Sequence, residues 1–255
     1  MCTVVILRRP DHDWPLLMAA NRDEMAGRPW DPPGRHWPDR ENVVAGIDRL
    51  AGGTWMGVND EGVAAGILNR KDSLGPDDLL RSRGEIVLEA LDHADAADAA
   101  DALSSLDGRS YRSFNLVVAD NRDAFWIRSM GEVAGGRMDV AEIPVGISML
   151  TAFDLNDSAS GRVTFHKPRF EAAEPPDVDA GDWSSWQGLL ASGEHGADTD
   201  SRDAMRITTD FGFGTLSSSL IALPSMNFPG RKPVWQFAAG APGDVAFEDV
   251  ELTTD

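Results

Sequence analysis

The chain has 255 residues, 42% of them hydrophobic, with 42 acidic residues against 23 Lys and Arg and a formal net charge of −19. That balance argues against nucleic acid as a partner, because backbone binding needs clustered Lys and Arg. The single cysteine excludes an internal disulfide, and no stretch approaches the ~18 apolar residues of a membrane span. The apolar content suffices for a core, no internal repeat stands out, and one domain over residues 1–255 is expected. The N-terminal apolar run is too short for a signal peptide and is interrupted by Arg8-Arg9. Together these features predict a soluble cytoplasmic protein. The Asp-rich residues 94–107 and 175–203 read as solvated surface rather than as a dock for a cationic partner.

Taken in chain order, Cys2 comes first, directly after the initiator methionine. A residue this small lets methionine aminopeptidase remove Met1, which leaves a free α-amine beside the thiol. The amine titrates near ~7.7–8.0 and the thiol near ~8.5, so one residue carries a base and a nucleophile. This is the chemistry of an N-terminal nucleophile. The plainer alternative makes Cys2 a small apolar residue opening a buried strand. Thr3-Val4-Val5-Ile6-Leu7 reads as that strand and Pro10-Asp11-His12-Asp13 as a turn. Pro15-Leu16-Leu17-Met18-Ala19-Ala20 reads as a second strand, ending in Asn21-Arg22-Asp23-Glu24. A hairpin centred near His12 sets Leu7 opposite Leu17 and Cys2 opposite Arg22. An arginine there lowers a thiol pKa, and a carboxylate orients an amine or an arginine. The alternative is a polar strand end. Asn121-Arg122-Asp123 repeats the tripeptide between two apolar runs, where it reads as a hairpin turn. Placement opposite Cys2, not the tripeptide itself, therefore carries the argument.

Trp30 and Trp37 lie in a Pro-rich loop, residues 28–38, which either walls an apolar ligand pocket or covers the edge of the core. Residues 55–58 and 63–68 form a hairpin whose end presents the amide of Asn69, a donor suited to an oxyanion. An ordinary hairpin that starts a loop at Asn69 is the alternative. Ser82-Arg83-Gly84-Glu85 has the form of a capping box, with an Ala-rich second helix reaching about residue 106. Residues 114–119 and 124–128 pair as strands. Asn156-Asp157 caps a helix reaching Phe170, limited or kinked by Pro168, and Asp182 caps a short helix over 183–190. The Gly- and Asp-rich residues 191–203 read as a mobile insertion. Residues 217–223, 234–239 and 245–252 are late strands. The five histidines show no paired metal-ligand spacing, and Gly212-Phe213-Gly214 lacks the Lys of a phosphate loop. Strands first, helices between and strands last fit an α+β fold of two antiparallel sheets between helix layers.

The opening Met1-Cys2-Thr3-Val4-Val5, with Ala20-Asn21-Arg22-Asp23-Glu24 and Arg28-Pro29, resembles the NRDE family, also called the transport and Golgi organisation 2 family. Gly52-Gly53-Thr54-Trp55-Met56-Gly57, Gly62-Val63-Ala64-Ala65 and Gly212-Phe213-Gly214-Thr215 extend the likeness along nearly the whole chain. The resemblance implies a four-layer αββα sandwich. More distantly it reaches N-terminal nucleophile hydrolases of the choloylglycine hydrolase and penicillin V acylase type. Those begin Met-Cys-Thr and carry Arg-Asn-x-Asp on the second strand. Asn21 and Asp23 match that motif, Ala20 stands where its Arg is expected, and Arg22 fills the variable slot. The segment ending Leu68-Asn69 resembles one whose Asn helps to form the oxyanion hole. The hydrolases also carry a Thr-Asn pair, where this chain has Thr151-Ala152 and offers Asn156 as a substitute. Their late Arg finds no match in residues 214–220.

Two functional classes follow from this reading. The first is an amidohydrolase or acyltransferase on a small amide or acyl substrate, without a cofactor. Cys2, Arg22, Asp23 and Asn69 are its catalytic set, and Asn21, Trp30, Trp37 and Asn156 contact the substrate. The second, implied by the resemblance, is a non-enzymatic carrier of haem or acyl lipid. No Cys-x-x-Cys-His attachment motif is present.

Overall fold

The computed structural model describes residues 2–73, 75, 77 and 79–252. Its strands are β1 (Thr3–Arg8), β2 (Leu16–Met25), β3 (Trp30–Gly34), β4 (Val43–Asp48), β5 (Met56–Asn59), β6 (Ala64–Asn69), β7 (Phe114–Ala119), β8 (Ala124–Ser129), β9 (Met138–Glu142), β10 (Gly146–Leu150), β11 (Phe213–Leu223), β12 (Val234–Ala238) and β13 (Glu248–Asp249). The helices are α1 (Gly84–Leu91), α2 (Ala96–Ser104), α3 (Gly161–Ala172) and α4 (Ser184–Leu190). The chain divides into two compact units, one holding residues up to 27 with Pro144–Val250, the other Arg28–Ile143 and the C-terminal residues.

The first unit is a six-stranded antiparallel sheet in the order β10-β1-β2-β11-β12-β13. Side chains alternate across a strand, so every second residue faces the same way. Val5 and Leu7 of β1, Leu17 and Ala19 of β2, and Leu220 and Ala222 of β11 share one core with Val163 and Phe170 of α3 and Trp186 and Leu190 of α4. Phe170 and Trp186 meet edge to face with centroids 5.6 Å apart. Ser160, not Asn156-Asp157, caps α3, its hydroxyl accepting from the Val163 N–H at 3.4 Å. The helix carries Pro168 inside it and runs on to Ala172. Residues 245–252 contribute only the two-residue β13, because Asp249 and Glu248 alone pair with β12.

The second unit is a seven-stranded antiparallel sheet in the order β3-β4-β5-β6-β7-β8-β9. Helices α1 and α2 cover one face, burying Ile86, Val87, Leu91, Ala99 and Leu103 against Val43, Ala65, Leu116 and Val118. The expected capping box at Ser82 does not form. Arg83 stands at the N-cap without a side-chain cap, and the Ser82 hydroxyl accepts from Gly84 N–H at 3.3 Å instead. Gly84, the first residue of α1, crosses the main chain of residues 53–54, where a Cβ would meet the Thr54 nitrogen at 2.8 Å. The Pro-rich loop contains a strand, β3, paired with β4 through a bulge between Asp31 and Gly34. Pro32 and Pro33 sit in that bulge, on an edge strand where a missing N–H breaks no ladder. Strands β4, β9 and β10 have no counterpart in the sequence reading. Among the described residues, no helix is long and apolar enough to cross a membrane.

Candidate functional site

Strands β1 and β2 pair with Leu7 opposite Leu17 and Thr3 opposite Asn21. Continued by one residue, this register sets Cys2 opposite Arg22. Alternation then divides the Asn-Arg-Asp cluster between two faces. Thr3, Asn21 and Asp23 point with Val5 and Ala19 toward α3 and α4. Cys2 and Arg22 share the opposite face. Cys2 is half-buried, and its thiol donates to the main-chain oxygen of Asp23 at 3.6 Å. Ser217 of β11 stands opposite Arg22. Its side chain is buried and its hydroxyl has no partner among the described residues.

On the helix face the polar groups are satisfied by specific partners. Asn21 donates through Nδ2 to the carbonyls of Leu190 at 3.0 Å and Met205 at 2.9 Å, and accepts from the Ser218 hydroxyl at 2.7 Å. Both donor hydrogens of its amide are thereby committed, one tying the end of α4 and the other the segment at Met205 to β2. The Asp23 carboxylate accepts from the Thr215 hydroxyl at 2.6 Å and pairs with Arg162 at 3.2 Å. Arg162 is wholly buried, and it also donates to the Thr3 hydroxyl at 2.5 Å and to the Arg202 carbonyl at 2.7 Å. A β-bulge between Thr215 and Ser217 makes this possible. Residues three apart on a regular strand face opposite ways. The extra residue, Leu216, turns Thr215 and Ser218 to the same side, one for Asp23 and one for Asn21.

Sequence reasoning missed Arg162, having looked for a late arginine in residues 214–220. A signal was present. Arg162, Val163, His166 and Phe170 are the buried stripe of α3, and a charge on an apolar stripe calls for a buried partner. His166 is buried too, its Nε2 3.1 Å from the Glu194 carbonyl. Burial, with Arg162 nearby, lowers its pKa to about 4, so it is neutral at pH 7. Arg22 pulls the Cys2 thiol down, as expected, but the net shift is upward: burial first and the Asp23 charge second outweigh the N-terminal charge, the Asp23 main-chain hydrogen bond and Arg22.

A family model described as Transport and Golgi organisation 2 matches residues 1–173, from β1 through α3. The chain belongs to that family. The mouse Transport and Golgi organization 2 homolog is 34% identical over 108 residues, 41% of this chain and 38% of that protein. The human homolog is 35% identical over 110 residues, again 38% of its length. The chain thus spans about two-fifths of the curated relatives it matches. Among solved structures, a Caenorhabditis elegans ortholog of N-acylethanolamine-hydrolyzing acid amidase superposes with a TM-score of 0.56 at 13% identity, covering 86% of this chain and 92% of that one. A variant of conjugated bile acid hydrolase from Clostridium perfringens gives 0.57 at 11% identity, covering 100% and 95%. Penicillin V acylase from Agrobacterium tumefaciens gives 0.50 at 13%, covering 100% and 99%. This member of the Transport and Golgi organisation 2 family therefore has the fold of the N-terminal nucleophile hydrolases, two antiparallel sheets with a helix pair on each.

The other expected site residues are placed as follows in this family member. Asn156 adopts a positive φ of 58°. Its Oδ1 accepts from Met149 N–H at 2.8 Å and its Nδ2 donates to the Ser148 hydroxyl at 3.2 Å, clamping β10. Asn69, Trp30 and Trp37 belong to the second unit. Asn69 ends β6 opposite Phe114 and is half-buried. Trp30 opens β3 and meets Trp55 edge to face at 5.7 Å. Trp37 packs on the α1–α2 core, its indole donating to the Gly52 carbonyl at 3.2 Å. Met1, on whose removal the free amine depends, lies outside the described residues. Among the described residues, no group of three or more His, Cys, Asp or Glu could hold a metal ion.

Proposed function

We propose that the chain is an N-terminal cysteine amidohydrolase or acyltransferase acting on a small amide or acyl substrate. The observation that carries this reading is the half-buried Cys2 just before β1, whose register continued by one residue faces Arg22, on a fold shared with an acid amidase ortholog, a penicillin V acylase and a conjugated bile acid hydrolase. After loss of Met1, the Cys2 amine takes the thiol proton and Sγ attacks the carbonyl carbon. The C–N bond breaks as the ammonium returns that proton to the leaving nitrogen. Water, or a second nucleophile in acyl transfer, then attacks the thioester, gives its proton to the amine and releases the acyl group, and the thiol is re-formed. The resemblance assigns the oxyanion to Asn69, and turnover by Asn69→Ala tests that assignment.

Intact-mass measurement of tag-free protein, followed by a screen of amides and acyl esters, tests the function. Loss of Met1 and turnover abolished by Cys2→Ala are the expected results. Full retention of methionine removes the base from the mechanism. A second reading, carriage of haem or acyl lipid, draws on the raised thiol and on Ala152 in place of the hydrolases' Asn. Haem titration of the same sample separates the two. Micromolar or tighter binding, about −8 kcal/mol, with no amide turned over, favours the carrier.

A further inference from the structure

The thiol of Cys2 has a carboxylate behind it. Its Sγ touches the main-chain oxygen of Asp23 at 3.6 Å, and the Asp23 side chain leaves the same residue for the other face of the sheet. The buried negative charge of that residue opposes formation of a thiolate. Arg162 meets that charge. Its Nη1 lies 3.2 Å from Asp23 Oδ2 and donates at 2.5 Å to Thr3, the residue next to Cys2, while Nη2 is held by the Arg202 carbonyl at 2.7 Å. Thr215 takes the other carboxylate oxygen at 2.6 Å.

We infer that Arg162 is a positioning residue for Cys2, cancelling the Asp23 charge behind the thiol and fixing the main chain beside it. The inference rests on Cys2 being the reactive group. It adds to the expected arrangement in which Asp23 organises the nucleophile, because the carboxylate is itself held by Arg162 and Thr215. The Asp23–Arg162 pair is wholly buried, so bulk salt screens it little. Among the described residues these charged and titratable groups surround the thiol and the pair, beside the N-terminal charge that pulls the thiol down. Arg22 and Glu24 lie on the thiol's face, Arg162 and His166 on α3, and Arg202 and Asp203 in the turn beside it. Burial and the Asp23 charge are the two leading causes that hold the thiol up. Removing the arginine therefore strengthens the second, and removing the carboxylate abolishes it.

The test is the pH profile of Cys2 alkylation by iodoacetamide, measured on folded tag-free protein. Arg162→Gln is expected to slow alkylation at pH 7 on the order of tenfold, a one-unit rise in thiol pKa. Asp23→Asn is expected to speed it, the double variant to return near wild type, and Arg162→Lys to retain most of the wild-type rate. Should Arg162→Gln fail to fold, Thr215→Val removes one of the two groups that share the Asp23 charge and keeps the shape of the side chain. It is expected to slow alkylation a few-fold. A purely structural pair predicts changes of one sign in both single variants, through loosening, and that outcome overturns the inference. Unchanged profiles in Arg162→Gln and Asp23→Asn overturn it as well. The readout needs no turnover, so a protein that hydrolyses nothing can still show the opposite shifts, and an active amidase can still lack them.

Discussion

The tripeptide Asn-Arg-Asp occurs twice in this chain and folds into two different objects. At 21–23 it lies inside β2, paired with β11 throughout and with β1 at Asn21, with Asn21, Arg22 and Asp23 all buried. At 121–123 it is the turn between β7 and β8. There Asp120 Oδ1 accepts from the N–H groups of Arg122 at 2.7 Å and Asp123 at 2.8 Å. Arg122 is half exposed and reaches Asp95 and Asp120 only at 3.6 Å. The residues are identical, but the runs around them differ. Six apolar or small residues precede Asn21 and a long strand, β11, pairs on the far side, whereas Asp120 offers the second tripeptide a side-chain acceptor for its turn. Context therefore turns one copy into a buried charge network and the other into a solvated loop.

The largest expected contrast comes from Asp23→Ala. It strands the buried Arg162 and should lower unfolding stability by about 3–5 kcal/mol in a denaturant titration. A loss under ~1 kcal/mol would mean that the network is not formed in solution. Acid should separate the two copies next. His166, one turn along α3 from Arg162, has a folded pKa of about 4 against an ordinary 6.5. Below pH 6.5 the unfolded chain takes the proton first, so stability is full above 6.5 and falls as pH drops toward 4. Burial first, then Arg162 and Arg169, hold the folded value down, while Glu194 and Asp203 oppose them through their carbonyls. The loss should be on the order of 3 kcal/mol, and His166→Gln should flatten that part of the pH–stability curve. An intermediate effect is expected of Asp120→Ala. It frees the turn N–H groups and the Ala96 N–H that its Oδ2 accepts at 2.9 Å, for about 1–3 kcal/mol. Smallest is Arg122→Ala, whose exposed ion pairs are worth under ~1 kcal/mol. A large loss there would break the contrast between the copies.

What could be read from the sequence was local and periodic. The β1–β2 register, the β5–β6 and β7–β8 hairpins and the short helix α4 follow from strand-length runs and turn residues, although Trp183 and not Asp182 is the N-cap of α4. The family and its fold followed from short motifs at the start of β1, the end of β2, around β5 and β6 and at the start of β11. Less legible was β3, since two prolines argue for a loop unless the strand is known to be an edge.

The sequence by itself determined the register of the strand that follows Cys2 against the strand ending in Asn21-Arg22-Asp23, because a two-residue period and a short turn leave little freedom. Only the tertiary structure decided what Asp23 does. Its partner, Arg162, lies 139 residues away on a helix, and its second partner, Thr215, faces it because a single-residue bulge reverses the alternation of β11. Neither depends on local propensity. Both follow from burial, since a carboxylate withdrawn from water must find a cation and a donor wherever the fold brings them.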